Sequence, residues 1–344
     1  MHRDDIRESP AAGMDAMANK SGIHFPPAFI VGAPRSGTTL LVNMVGAHPL
    51  LAPIYETRFL RNLMALCQRL CWFHGTSWSR SCARVVGEPW VKAHLVKELA
   101  RYRSKAIKYN AKAIEYNALP TLPAGAHGWQ FPFGPHCIRY EMAELIAETD
   151  KWLQRVSEGR LACEDIHPTA REYIDNLFAI HCARLKKPHW VNKTPGFLAY
   201  LEPLAKLYPG SRCIHILRDG RDVVASNQSL GWGPREVRRW ARRWKSLIQK
   251  GRAGAARAQF QYMEIRYEEL VASPRETMRE VARFYGLDSD SDAMAESMQV
   301  SREQKARWRS TWSLSERRDF ASEAGDLLIE LGYEKNSDWI LLND

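Results

Sequence analysis

The sequence predicts an α/β fold of three layers, in which helices cover both faces of a central parallel sheet, with an added helical insertion. Three short apolar runs, at residues 29–31, 213–217 and 262–267, have the pattern of buried strands. A helical pattern follows each run after a turn or a polar segment. Repeated strand–helix units of this kind favour a parallel sheet.

The first unit contains a glycine loop. Residues 29–31 are apolar and are followed by residues 32–39, which read Gly-Ala-Pro-Arg-Ser-Gly-Thr-Thr. Apolar side chains then recur at helical spacing between residues 40 and 45. The segment therefore predicts a strand, a glycine loop and a helix in that order.

Two further units follow later in the chain. The apolar run 213–217 leads into a turn at residues 218–221, and a helix is predicted from Asp222 onward. The third run, 262–267, precedes a helix predicted at about residues 274–285, with Gly286 as its stop signal.

The domain prediction is a flexible tail at residues 1–24 and a single domain at 25–344. The mostly helical pattern at about residues 57–185 predicts an insertion into that domain, and the Pro-, Gly- and aromatic-rich stretch 120–135 inside it predicts a long loop. No apolar run reaches the roughly 18 to 20 residues that a membrane crossing needs, and the first 24 residues lack the apolar core of a signal peptide. We therefore expect a soluble cytoplasmic protein.

The composition favours anionic partners. A net charge of +10 and a pI near 9.3 suit a phosphorylated nucleotide, an acidic glycan, nucleic acid or a membrane face, and charge alone does not choose among them. Seven scattered cysteines without a CxxC pair indicate reduced thiols. Cys67 and Cys71 can share a helical face, but two ordinary thiols are favoured over two metal ligands, and no metal is predicted.

The glycine loop predicts an anion site that needs no magnesium. Gly32 and Gly37 have the spacing of a P-loop, whose backbone N–H groups cradle phosphate oxygens. In a nucleoside triphosphatase a lysine and then a magnesium-binding Ser or Thr follow the second glycine, whereas Thr38 and Thr39 follow here. Arg35 inside the loop supplies a planar cation that can bind two oxygens of one anion.

Residues 32–41 resemble the 5′-phosphosulfate loop of sulfotransferases that use 3′-phosphoadenosine 5′-phosphosulfate (PAPS). The pattern is similar to that of the tyrosylprotein-sulfotransferase-like branch, in which Ala-His-Pro and then Glu-Thr-Arg follow the helix, as residues 47–49 and 56–58 do here. The resemblance implies a P-loop-like fold and donor contacts from the loop residues Pro34, Arg35, Ser36, Gly37, Thr38 and Thr39.

A second motif is similar to the 3′-phosphate segment of the same family. Residues 216–226 place Arg218 at a strand end and Ser226 on the next helix, where the resemblance implies that both hold the 3′-phosphate. Physically, the arginine supplies charge and the serine a hydroxyl near a helix start, where the dipole favours an anion. The alternative is a surface turn with a solvated Arg-Asp pair.

Three more segments resemble the same family less closely. Residues 191–195 resemble the family's Asn-Lys-x-Pro segment, which implies that Lys193 approaches the sulfuryl group. Tyr267 matches a tyrosine near the adenine, and a structural role is an equal alternative. The basic cluster Arg302, Lys305, Arg307, Trp308 and Arg309 either closes over the nucleotide as the family's C-terminal loop does or forms a solvated basic helix.

The resemblance and the chemistry together assign three catalytic residues. Glu56 is the candidate general base, because a carboxylate in a partly dry cleft can accept a proton near neutral pH. Arg35 and Lys193 would stabilise the charge that develops on the transferred group. A salt bridge is the alternative role for Glu56, and a histidine base, His48 or His74, is the alternative assignment.

The predicted function is metal-independent transfer of a sulfuryl group from PAPS to an acceptor hydroxyl. A glycan or small molecule is favoured as acceptor over peptide tyrosine, and a homodimer is one option for assembly. The rivals are a P-loop nucleotide kinase, disfavoured by the missing lysine, and a non-catalytic protein that binds anions or nucleic acid on the same fold. No nucleic-acid partner is expected, because no such motif is visible.

Overall fold

The structure is a computed structural model that describes residues 25–75, 88–118, 138–158, 162–229, 236–287, 290–298 and 306–341. The predicted tail at 1–24, the predicted loop at 120–135 and the basic residues Arg302 and Lys305 lie outside the described residues.

A five-stranded parallel sheet flanked by helices forms the centre of the fold, as predicted. The strands are β1 (Ala28–Gly32), β2 (Leu51–Tyr55), β3 (His189–Lys193), β4 (Arg212–Leu217) and β5 (Gln261–Arg266), in the order β2-β3-β1-β4-β5. β4 pairs in parallel with β1 on one side and β5 on the other, with Ile214 opposite Ile30 and Met263.

The burial of each strand explains its composition. β1, β2 and β3 are buried along their full length, as expected for parallel strands covered on both faces. β5 is the last strand in the order, and most of its residues are partly or fully exposed. A polar side chain is tolerated at such an edge: Glu264 accepts hydrogen bonds from Arg252 and Tyr262.

The three predicted strands are confirmed as β1, β4 and β5, whereas β2 and β3 carried no strand prediction. β2 is short and contains Pro53, so its sequence lacks the continuous apolar pattern that predicts a buried strand. The predicted helix at 274–285 is confirmed as Pro274–Tyr285, and Gly286 ends it in the left-handed conformation with φ of 72°.

The helices are numbered in chain order. They are α1 (Thr38–Gly46), α2 (Arg58–Gly75), α3 (Glu88–Ala118), α4 (Met142–Ser157), α5 (Cys163–Leu185), α6 (Leu201–Leu207), α7 (Gly220–Ser229), α8 (Val237–Arg257), α9 (Tyr267–Ala272), α10 (Pro274–Tyr285), α11 (Ser291–Glu296), α12 (Arg307–Thr311) and α13 (Leu314–Glu330), with 3-10 turns at Pro195–Tyr200 and Asp338–Ile340.

The chain divides into two compact units. Of the described residues, those within 25–27, 49–192 and 203–209 form the helical unit, and those within 28–48, 193–202 and 210–341 form the loop unit. The prediction of one domain with an insertion at 57–185 stays a prediction. No helix in the described part of the chain is long and apolar enough to cross a membrane.

The helical unit has an aromatic core with satisfied hydroxyl groups. Trp152 stacks on Tyr173 with ring centroids 5.7 Å apart, and Tyr102 meets Trp152 edge to face at 5.8 Å. The Tyr173 hydroxyl lies 2.8 Å from the hydroxyl of Thr149. These rings therefore belong to the core, and they are not available to stack on an acceptor. Trp72, by contrast, is exposed.

Candidate active site

The glycine loop of the loop unit makes a tight turn between β1 and α1. The Ser36 amide donates to the Ala33 carbonyl at 3.0 Å, and the Leu41 amide donates to the Gly37 carbonyl at 3.0 Å as α1 begins. Arg35 and Gly37 have φ values of 75° and 94°. A left-handed arginine is uncommon and costs about 1 to 3 kcal/mol, which a functional loop can store.

Two glycines of the loop are required by close neighbours. A Cβ atom on Gly32 would lie 2.8 Å from the Ile216 carbonyl oxygen, and one on Gly37 would lie 2.4 Å from the Tyr267 ring. Both distances are shorter than real contacts allow. The loop can therefore approach β4 and the start of α9 only because these positions lack side chains.

Residues from three segments meet at this loop. The Arg35 guanidinium donates to the Ser226 hydroxyl at 3.0 Å, and the Arg218 guanidinium donates to the Arg35 carbonyl at 3.0 Å. Arg218 also lies over the Tyr267 ring, 4.4 Å from its centroid. The predicted residues Arg35, Arg218, Ser226 and Tyr267 thus come together at the carboxyl ends of β1, β4 and β5.

Lys193 ends β3 and is only 2% exposed. The amide of the next residue, Thr194, donates to the Ile30 carbonyl at 3.3 Å, which holds this end of β3 beside β1. Lys193 therefore lies at the carboxyl edge of the sheet, which is the edge where ligands bind in open parallel sheets.

The site concentrates positive charge. Burial lowers the pKa of the Arg35 guanidinium, and the neighbouring charges of Arg218 and Arg307 lower it further. The guanidinium remains charged near neutral pH, because the ordinary pKa of arginine is above 12. An anion bound among these cations would relieve their mutual repulsion.

The buried hydroxyl of Ser36 fits such an anion. The side chain is 1% exposed, and its oxygen has no hydrogen-bond partner among the described residues. Buried polar atoms usually have a partner, so an unsatisfied hydroxyl inside an anion loop points to a ligand oxygen. Thr38, the first residue of α1, is also buried, while Thr39 is partly exposed.

The turn after β4 is buried, which contradicts the alternative of a solvated Arg-Asp pair. Arg218 is 5% exposed and Arg221 3%. Arg221 binds the Asp219 carboxylate at 2.7 Å and packs against the rings of both Trp308 and Trp339, at 4.2 Å and 4.7 Å from their centroids. The turn is therefore part of the buried interior of the loop unit.

The C-terminal basic cluster divides between two roles. Trp308 is buried beneath Arg221 and serves packing, while Arg309 is exposed. The segment is attached to α7, because the Ala306 amide donates to the Asp222 carboxylate at 2.9 Å. Arg307 is close enough to influence the charge of Arg35. Sequence reasoning noted this cluster but did not identify Arg307 as the member near the loop.

Glu56 lies in the helical unit, between β2 and α2. Its backbone has φ of 46°, a left-handed conformation, and its carboxylate accepts a hydrogen bond from Arg58 at 2.8 Å with 25% of the side chain exposed. The next residue, Thr57, is buried and accepts a hydrogen bond from the Asn192 amide at 2.7 Å. The salt bridge given as the alternative role of Glu56 is therefore present, and its role as a base stays a prediction.

The histidine alternatives receive no support as a base. His48 is 1% exposed in the loop unit, and its ring lies 4.0 Å from the Asp290 carboxylate. The side chain of His74 lies outside the described residues. Among the described residues, no group of three or more His, Cys, Asp or Glu side chains could hold a metal ion.

Four curated relatives share part of the sequence. Mouse protein-tyrosine sulfotransferase 1 is 39% identical over 93 residues, which cover 23% of this chain and 23% of that protein. The zebrafish protein of the same name is 23% identical over 267 residues, covering 76% of this chain and 53% of that protein. The chain thus spans at most about half the length of these two relatives.

Solved structures give a distant likeness. The sulfotransferase domain of the Synechococcus PCC 7002 olefin synthase matches with a TM-score of 0.46 and 16% identity, covering 88% of this chain and 96% of that one. A sulfotransferase from Mycobacterium tuberculosis H37Rv matches with a TM-score of 0.41 and 18% identity, covering 91% and 81%.

The family model described as "Sulfotransferase family" matches residues 26–292. This match includes the glycine loop, Glu56, Lys193, the buried turn after β4 and Tyr267, and it covers more than three quarters of the chain. The chain belongs to the sulfotransferase family.

Proposed function

We propose that this protein transfers a sulfuryl group from PAPS to an acceptor hydroxyl without a metal ion. The convergence of Arg35, Arg218 and Ser226 at the carboxyl edge of the sheet carries the proposal. Two guanidinium groups and a hydroxyl, together with backbone N–H groups of a glycine loop, suit a ligand that bears anionic groups at two positions.

The loop is the proposed site for the 5′-phosphosulfate. Within residues Pro34 to Thr39, backbone N–H groups at the start of α1 are offered by all but Pro34, which has none, and Ser36, whose amide donates to the Ala33 carbonyl. The helix dipole favours an anion there. The buried Ser36 hydroxyl has a proton to donate, and the Arg35 guanidinium supplies charge. A magnesium ion is not needed for charge balance, because arginine takes the place of the missing P-loop lysine.

The 3′-phosphate is assigned to Arg218 and Ser226, with Arg307 as an added cation. Arg218 is held by the Arg35 carbonyl and by its stacking on Tyr267, so its planar group is fixed before a ligand binds. Such preorganisation reduces the entropy lost on binding. Tyr267 supports the site because its ring stacks on Arg218 and packs against Gly37. A contact with the adenine would be an additional role.

Catalysis is assigned to Glu56, Arg35 and Lys193. Glu56 would accept the proton of the acceptor hydroxyl as that oxygen attacks sulfur. Lys193 and Arg35 would stabilise the negative charge on the bridging oxygen as the bond from sulfur to the 5′-phosphate oxygen breaks. The products are a sulfate ester and 3′-phosphoadenosine 5′-phosphate.

The acceptor is proposed as a hydroxyl-bearing glycan or small molecule, with peptide tyrosine as the alternative that the names of the curated relatives supply. Assays that follow the transfer of radiolabelled sulfate to a polysaccharide, a simple phenol and a tyrosine peptide would compare the three classes of acceptor. A cytoplasmic location and a homodimer stay predictions from the sequence.

The first test is thermal unfolding with 3′-phosphoadenosine 5′-phosphate, with AMP, and with ATP plus magnesium. A ligand present at about 100 times its dissociation constant stabilises the folded state by about 2.7 kcal/mol. We expect the 3′-phosphorylated nucleotide to raise the melting temperature most, with no effect of a chelator.

The other outcomes each contradict the proposal. Stabilisation by magnesium and ATP alone would favour a P-loop kinase. Equal shifts with every polyanion, removed by salt, would favour a non-catalytic anion-binding protein.

A further inference from the structure

Two thiols of the helical unit contact each other although 92 residues separate them in sequence. The Cys71 thiol donates to the Cys163 carbonyl with 3.7 Å between sulfur and oxygen, and the Cys163 thiol donates to the Cys71 carbonyl at 3.9 Å. Each of the two thiols therefore lies against the backbone of the other residue. Because each sulfur reaches the other residue's backbone, α2 and the first turn of α5 hold the pair close to the short separation that a disulfide spans.

A histidine lies beside this pair. The Nδ1 atom of His167, one helical turn after Cys163, is 3.8 Å from the Cys71 sulfur. Burial lowers the pKa of His167, and the charges of Lys206 and Arg171 lower it further. The imidazole is therefore neutral near pH 7, and its Nδ1 atom can accept a hydrogen bond from the Cys71 thiol.

Accessibility distinguishes the pair from a nearby thiol. Cys71 and Cys163 are partly exposed, whereas Cys67, one turn earlier on α2, is fully buried. A small oxidant can reach the pair but not Cys67. Exposure is one of the conditions that make a cysteine susceptible to oxidation.

We propose that Cys71 and Cys163 form a redox-modification site, at which a peroxide converts the two thiols into an intramolecular disulfide. As the Cys71 sulfur attacks a peroxide oxygen, its proton passes through His167 to the departing hydroxide, so the O–O bond breaks and a sulfenic acid and water form. The Cys163 sulfur then attacks the Cys71 sulfur, the S–O bond breaks and a second water leaves. Two thiols lose two electrons and two protons, and hydrogen peroxide becomes two waters.

The environment of the pair sets its rate. Burial raises the pKa of Cys71 to about 12, the Cys163 thiol also raises it, and Lys206 lowers it. Because the Cys71 thiol keeps its proton at pH 7, oxidation is slow there, and the rate should rise about tenfold for each unit by which the pH is raised, up to that pKa. The site would respond to sustained peroxide and would ignore a brief exposure.

Peptide mapping of the full chain tests the proposal. The chain is treated with hydrogen peroxide in the folded state, free thiols are alkylated, and trypsin is added without reductant. Cleavage after Arg69 separates Cys67 from Cys71, which falls in the peptide 70–80, while Cys163 falls in the peptide 161–171. We expect peptides 70–80 and 161–171 to be joined by a disulfide.

Matched variants make the result specific. The joined pair should be absent from Cys71→Ser and Cys163→Ser and should persist in Cys67→Ser. His167→Gln should slow its formation at pH 7 several-fold without changing its identity. A Cys71 that stays fully alkylated after peroxide treatment, or that bonds instead to Cys82 or Cys137, would overturn the proposal.

Thermal unfolding gives a readout that does not depend on mapping. A bond that fits the folded state raises the melting temperature by closing a loop of 92 residues in the unfolded chain. The oxidised chain should melt several degrees above the reduced chain, and reductant should reverse the shift. A fall in melting temperature would show that the two thiols are not positioned as proposed.

Discussion

The Arg35 guanidinium donates a hydrogen bond to the Ser226 hydroxyl at 3.0 Å, although 191 residues separate them in sequence. Sequence reasoning gave the two residues separate tasks, with Arg35 at the sulfuryl end of the donor and Ser226 at the 3′-phosphate. A hydroxyl has one proton to donate and two lone pairs to accept. Ser226 can therefore accept from Arg35 and still donate to a phosphate oxygen, and the two tasks are compatible.

Replacement of Ser226 by alanine should reduce discrimination between nucleotides. If its hydroxyl contacts the 3′-phosphate, the affinity for 3′-phosphoadenosine 5′-phosphate should fall by about 1 kcal/mol, while the affinity for AMP should change little. Titration calorimetry with both nucleotides measures the difference. Equal losses of affinity for the two nucleotides would show that Ser226 supports Arg35 and does not contact the 3′-phosphate.

Replacement of Arg218 by alanine should have a larger effect. Removal of a charged hydrogen bond to the 3′-phosphate costs about 1.5 to 3 kcal/mol, or about 10- to 150-fold in dissociation constant. Arg242→Ala is the matched control, because Arg242 is exposed and pairs with Glu323 on α13. An unchanged affinity in Arg218→Ala would remove Arg218 from the donor site.

Glu56→Gln should abolish turnover and leave nucleotide binding nearly intact. The amide cannot accept the acceptor proton, and Glu56 is not assigned to the nucleotide. Transfer rates and calorimetry together test the split. Activity near that of the wild type would show that another group is the base.

Thr57→Val refines this test, because it removes the hydroxyl that accepts from Asn192 while keeping the shape of the side chain. We expect a partial loss of kcat with little change in donor affinity, since the left-handed backbone of Glu56 would be held less firmly. Thr57→Ser, which retains the hydroxyl, should restore most of the rate. A uniform loss of stability and binding would indicate a structural role only.

Gly37→Ala should destabilise the protein and weaken donor binding. The new Cβ would meet the Tyr267 ring at 2.4 Å, and φ of 94° is strained for alanine, so we expect a loss of more than about 1 kcal/mol. Gly196→Ala is the control, because no atom lies within 4 Å of its added Cβ. Chemical denaturation compares them, and equal stabilities would contradict the packing of Tyr267 on the loop.

His181 should make the helical unit sensitive to acid. Burial lowers the pKa of His181 to about 3, and its ring stays neutral: Nδ1 accepts from the Arg139 amide at 3.1 Å, so Nε2 donates to the Pro53 carbonyl at 3.1 Å. The unfolded chain binds a proton near pH 6.5 and the folded chain does not. Stability from this group is therefore complete above pH 6.5 and declines as the pH falls toward 3.

Between pH 7 and pH 5 the loss should be about 2 kcal/mol. Denaturant unfolding at pH 7 and pH 5 measures it, and His181→Gln should be less stable at pH 7 but should lose less on acidification. The same pH dependence in His181→Gln would assign acid sensitivity to other groups.

The sequence was most informative where local pattern and chemistry agree. The apolar runs of β1 and β4 and the Pro274 and Gly286 signals of α10 predicted elements that the structure contains. Two motifs and one weaker resemblance assigned four residues to the site, namely Arg35, Arg218, Ser226 and Tyr267. These residues lie together because parallel strands place their carboxyl ends at one edge of the sheet.

Other features could not be read from the sequence because they depend on contacts between distant segments. The burial of the turn after β4 depends on Trp308 and Trp339, about 90 and 120 residues further on. The contact between Cys71 and Cys163 depends on the packing of two helices whose sequences carry no signal for each other. The short strand β2 contains a proline, and its burial comes from its neighbours.

The two tryptophans around Arg221 have a consequence for the end of the chain. Asp219 and Arg221 belong to the same turn as Arg218, and the indole of Trp339 covers one side of the Arg221 guanidinium. Deletion of the last ten residues would remove Trp339 and open that side to water. Such a truncated chain should bind the nucleotide more weakly, even though none of the deleted residues is proposed to touch it.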